Sequence, residues 1–84
     1  MEMNYDNFFI LFKRKVRETL LVDVLKMVAD NADRQDYWSA YRKIYSVGEN
    51  ILKEQQRMFL LNKEIIKRVA AEICFEEKTR KFEV

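Results

Sequence analysis

The sequence predicts an all-α protein, a helical hairpin or three-helix bundle that pairs into a dimer through a long second helix. Three observations carry that prediction. The 84 residues contain no proline and a single glycine, so few positions interrupt a helix. Hydrophobic residues make up 49% of the chain, enough to fold, and they recur at helical spacing. A long stretch then carries two apolar stripes, while only one shorter helix is available to cover them.

The first helix is expected to start near Asn4 or Asp6, either of which can accept hydrogen bonds from its free N–H groups. Phe8, Phe12, Val16, Leu20, Val24 and Val28 follow at a constant spacing of four. Phe9, Leu21, Leu25 and Met27 widen the stripe, and Lys13, Arg14, Arg17, Glu18 and Lys26 lie mostly off it. One amphipathic helix ending near Asp30 is predicted, followed by a polar turn, DNADRQD.

Asp36 is a candidate N-cap for the next helix. From there Tyr37, Tyr41, Ile44, Gly48, Ile51, Gln55, Met58, Asn62, Ile65 and Val69 form a heptad seam. Gly48, Gln55 and Asn62 are poor core residues, and Gln55 and Asn62 are candidates for fixing register. Trp38, Tyr45, Leu52, Phe59, Ile66 and Ile73 form a second stripe. Read as one helix to about Phe75, the segment would be about 60 Å long at the α-helical rise. Ser46 and Glu49 match a capping box, which would instead start a new helix near Val47. Either the segment bends and closes a compact bundle, or two chains pair, and pairing is the favoured expectation. Residues 1–75 read as one helical domain and 76–84 as a charged, frayed tail.

Composition narrows the function classes. Histidine is absent and Cys74 is the only cysteine, so neither a zinc site nor a disulfide is expected. Without histidine or a glycine-rich loop there is no ready general base and no phosphate cradle, so no enzyme, metal or cofactor is expected. Cys74, between Ile73 and Phe75, reads as a small buried hydrophobe. The net charge of +2 favours neither nucleic acid nor membrane. The longest apolar run, Phe8 to Phe12, is far short of the ~20 residues that span a bilayer. An N-terminus with Glu2 and Asp6 lacks a signal peptide's basic start, and with one free thiol this predicts a cytoplasmic location.

The stretch QDYWSAYRKIY, Gln35 to Tyr45, gathers three tyrosines and the only tryptophan. Aromatics at this spacing are usually core. Their functional reading is a protein-binding surface, where Tyr and Trp are enriched. The candidate contact or dimer surface is Trp38, Tyr41, Tyr45, Leu52, Phe59 and Ile66. The cluster KRKVR supplies possible nucleic-acid contacts at Lys13, Arg14, Lys15 and Arg17, although consecutive positions wrap around a helix and a solvated face is the simpler reading. SVGEN, Ser46 to Asn50, could be the turn of a helix-turn-helix, with Gln55, Gln56 and Arg57 available to read bases beyond it.

The segment ADRQDYWSAYRKIYSVGE, with Asp36, Tyr37, Ala40, Ile44, Tyr45 and Gly48, resembles the turn and second helix of a tetratricopeptide-type hairpin. It also resembles the short helical negative regulators of AraC-type activators. That resemblance implies binding to a transcription factor. The expected function is a small protein–protein interaction module, a regulatory adaptor or inhibitor that occupies a partner's surface by helix packing. Two alternatives are a DNA-binding regulator of helix-turn-helix type and a structural subunit of a larger assembly.

Overall fold

The computed structural model describes residues 4–30, 35–53 and 57–81. Four helices follow one another: α1 (Tyr5–Thr19), α2 (Val22–Ala29), α3 (Gln35–Leu52) and α4 (Lys63–Lys81), with a 3-10 turn at Met58–Leu60 before α4. No strand occurs among the described residues. The fold is an all-α bundle, with one helix more than the three-helix arrangement expected.

The extra helix comes from a break in the first segment. Asn4 caps α1, its Oδ1 accepting from the Asn7 N–H at 2.9 Å. At Leu20 and Leu21 the backbone turns extended, with ψ of 145° and 149°, and α2 begins without a side-chain cap. Neither residue is glycine or proline, so the cause is not local. A spacing of four advances about 400° around a helix of 3.6 residues per turn, so the stripe drifts about 40° per step. From Phe8 to Val28 the drift reaches about 200°, and a straight helix would carry Val28 to the side opposite Phe8. The two extended residues re-phase the stripe. Phe8, Phe12 and Val16 on α1 and Leu25 and Val28 on α2 consequently enter one core, all fully buried.

The second segment also divides, so the continuous 60 Å helix does not form. α3 ends at Leu52, and a new helix starts at Lys63. Asn62 marks the restart. Its Oδ1 accepts from the Ile65 N–H at 3.1 Å, while its amide donates to the Phe59 carbonyl at 3.3 Å. Asn62 is therefore an exposed N-cap, not a buried register residue. Gln55, the other register candidate, lies outside the described residues, as does most of the polar turn after Asp30. Asp36 sits in the first turn of α3 and not ahead of it. Ser46 to Asn50 lie inside α3, so neither the capping box nor the helix-turn-helix turn forms there.

Gly48 has a different role. A Cβ added to it would lie 2.5 Å from Leu61 Cδ1 and 3.1 Å from Phe12 Cζ. Glycine lets α3 approach α1 and the 3-10 turn closely. α4 packs chiefly on α2 and also meets α1 and, less, α3. The shortest extent of the molecule is 19 Å, the thickness of about two helix layers. α3 meets both α1 and α2, and α4 packs against all three.

Division of the long helix supplies the cover that pairing was expected to provide. Ile65, Ile66, Val69 and Ile73 of α4 fill the core of the same chain. Within the chain, the second segment bends and closes a compact bundle. α4 also continues through Lys81, so residues 76–81 belong to the helix and not to a frayed tail.

Candidate functional site

The six residues expected to form a contact surface separate into three groups. Leu52 and Ile66 are fully buried in the core and unavailable to a partner. Tyr41 and Tyr45 are half-buried against it. Trp38 is 52% exposed and Phe59 70% exposed. On α3, the positions Trp38, Tyr41 and Tyr45 are spaced i, i+3 and i+7, so they share one flank beside the buried line Tyr37, Ala40, Ile44 and Gly48.

Ring contacts fix that flank. Trp38 meets Tyr37 edge-on with centroids 5.0 Å apart, and meets Tyr41 edge-on at 5.6 Å. Tyr37 and Tyr41 stack at 6.1 Å. Edge-to-face and offset pairs are the geometries aromatic quadrupoles favour, each contributing about 0.5–1.5 kcal/mol beyond area burial. Burial, followed by repulsion from Tyr37 and Tyr45, pushes the Tyr41 phenol above its ordinary pKa. The Tyr37 hydroxyl is buried without a hydrogen-bond partner among the described residues.

The basic cluster of α1 is largely engaged within the chain. Lys13 pairs with Glu72, at 3.7 Å, and with Glu76, and Arg17 pairs with Glu76. These carboxylates stand one turn apart on α4. Next to them Arg68 donates to Glu72 at 2.9 Å and to the Tyr5 hydroxyl at 3.0 Å, and lies 4.3 Å from the centre of the Phe9 ring. Lys15 sits 3.9 Å from Glu18. Arg14 alone of the four forms no ion pair among the described residues. The alternation of Lys13 and Arg17 with Arg14 and Lys15 places two cations toward α4 and two away from it. The composition of KRKVR could not show this, because the matching glutamates are about sixty residues away in sequence.

On the side of α3 opposite the aromatic flank lie two grooves that the sequence did not signal. One, of about 380 Å³, lies between α1 and α3 and is lined by Leu11, Lys15, Thr19, Val47, Asn50 and Ile51. The other, of about 160 Å³, lies between α2 and α3 and is lined by Val24, Met27, Asp36, Ser39, Ala40 and Lys43. A third hollow, between α2 and α4, contains half-buried Cys74 beside Phe75, Lys26, Asp30 and Lys78. Burial raises the Cys74 thiol pKa, with Asp30 adding to the effect, so the group is a poor nucleophile at neutral pH.

No helix among the described residues is long and apolar enough to cross a membrane. Comparison of the chain with family models, with curated proteins and with solved structures returned no match.

Proposed function

We propose that the protein is a small helical interaction module, a regulatory adaptor or inhibitor that acts by occupying a surface of another protein. The carrying observation is the Trp38 flank. A large aromatic ring is half exposed, yet it is held in one orientation by Tyr37 and Tyr41. A preset ring loses little freedom on binding, and buried aromatic anchors dominate the energetics of most interfaces. Phe59 adds a second exposed ring for which the fold itself has no use. The resemblance of the α3 segment to short helical negative regulators makes a transcription factor the first partner class to try.

For the DNA-binding alternative, Lys13 and Arg17 are engaged by Glu72 and Glu76 and Ser46 to Asn50 are helical, which leaves Arg14 and Lys15 as the cluster's candidate phosphate contacts. Affinity capture from nuclease-treated lysate tests the reading. Wild type should retain a defined protein, and Trp38→Asp, folded by circular dichroism, should lose it. Retention that disappears on nuclease treatment overturns the reading in favour of nucleic acid. Light scattering on the isolated chain tests the expected self-association separately.

A further inference from the structure

The two grooves beside α3 follow one another along the same side of the helix and are treated together as a trough. Their α3 residues, Asp36, Ser39, Lys43, Val47 and Asn50, follow at steps of three and four, so they form a single stripe along the helix. The opposite wall runs antiparallel. Leu11 and Thr19 of α1 stand across from Val47 and Ile51, and Val24 and Met27 of α2 stand across from Ser39 and Ala40. The break between α1 and α2 lies at the middle of this wall, where Leu21 is 74% exposed. From Asp36 to Ile51 the trough extends about 22 Å, four turns of helix. α4 does not line this trough: its partners on α1, Phe9, Lys13 and Arg17, are on the opposite face of that helix from Leu11 and Lys15.

Charge selects the occupant. The roomier α1 half has an apolar floor, and cations rim it. Lys15 lines it, Lys43 stands where the two halves join, and Arg14 is one turn from Leu11. Lys43 and Arg14 form no ion pair among the described residues, and Lys15 is held only loosely by exposed Glu18. We propose that this trough binds an amphipathic helix of a partner protein, apolar on its buried face and acidic along the edge that meets Lys15 and Lys43. Side chains of that helix fill the groove between Leu11 and Val47, and its carboxylates face Lys15 and Lys43, the latter without an ion pair among the described residues. The proposal rests on the reading of the chain as an interaction module and assigns it a second face, distinct from the Trp38 flank.

The test uses two synthetic helical peptides of about sixteen residues, the four turns that span the trough. Both carry Leu and Ala on one face; one is flanked by Glu and its twin by Lys. Binding to the full chain is measured by fluorescence anisotropy, and amide chemical shifts locate the contact. The Glu peptide should bind, and the perturbed amides should be those of Lys15, Thr19, Lys43, Val47 and Asn50. The double variant Lys15→Glu/Lys43→Glu, folded by circular dichroism, should weaken it about tenfold or more and should gain affinity for the Lys peptide, an exchange that a merely destabilised chain would not make. Equal binding of both peptides, no binding of the Glu peptide, or shifts centred on Trp38 would overturn the proposal. So would concentration-dependent self-association that the double variant abolishes, because a second copy would then be the occupant. Capture of a native protein through Trp38 is independent of these outcomes, so failure of the trough and failure of the interaction reading give different results.

Discussion

Gly48→Ala tests the close approach of α3 to Leu61 and Phe12. In a helix interior alanine is favoured over glycine by roughly 1 kcal/mol, and α3 extends four residues beyond Gly48, so local preference alone predicts stabilisation. The tertiary contact opposes it. The new methyl would sit 2.5 Å from Leu61 Cδ1, 3.1 Å from Phe12 Cζ and 3.3 Å from Leu61 Cδ2, against ordinary contacts of about 3.5–4 Å. Leu61 could turn away at its flexible end, but Phe12 is fully buried and has nowhere to withdraw. Overpacking of this kind costs about 1–3 kcal/mol. Subtracting the helix gain leaves a net loss of about 1 kcal/mol. For a domain of this size that lowers Tm by about 4–8 °C. Thermal and urea unfolding followed by circular dichroism measure it. Leu61→Ala alone should cost more, because it empties a core position, but the double variant should be more stable than the sum of the two single losses predicts. A Gly48→Ala protein as stable as wild type, or additive behaviour in the cycle, would refute the close-approach account of Gly48.

Five further outcomes follow from particular contacts and groups. Asn62→Ala removes the cap bond to the Ile65 N–H and should destabilise by about 1 kcal/mol, whereas a register residue in a dimer seam would instead change the association state seen by light scattering. Tyr37→Phe deletes a buried hydroxyl that has no partner among the described residues and should raise the urea midpoint or leave it unchanged; a clear loss would reveal a bond to that oxygen. Glu76→Gln weakens the pairs with Lys13 and Arg17, and the loss should be below about 1 kcal/mol and shrink in high salt; a salt-independent loss would point to packing instead. Cys74 should react with iodoacetamide more slowly in the folded chain than in urea, since its folded pKa is raised. By the same linkage, the raised Cys74 and Tyr41 values contribute stability that is complete below their unfolded pKa and is lost as pH rises through the folded one, so the urea midpoint should fall on the alkaline side.

The candidate surfaces were only partly legible in the sequence. Trp38 and Tyr45 stand out by residue type and spacing, and both lie on the flank where spacing put them. Ile66 and Leu52 belong to the same apparent stripe, yet both are core, because a heptad pattern records that a residue faces something apolar and not whether that partner is in the same chain. The trough left no signal, since its walls come from three helices and several of its lining residues, Thr19, Ser39 and Asn50 among them, are polar or small.

The sequence by itself determined the helical class, the start of α1 to within Asn4 or Asp6 and the apolar residues available to the core, because each depends on short-range chemistry: the lack of backbone breakers, a capping side chain, and side-chain spacing. The tertiary structure decided where the helices stop. The break at Leu20 and Leu21 carries no breaker residue and answers to the drift of a four-residue stripe against a 3.6-residue helix. Asn62 could equally be a buried seam residue or a cap, and only the return of α4 onto α2 makes it a cap. Gly48 looks like a turn and is a contact. Lys13 and Arg17 look free and are paired with Glu72 and Glu76 across the fold. In each case the deciding partner is remote in sequence, and no local pattern records it.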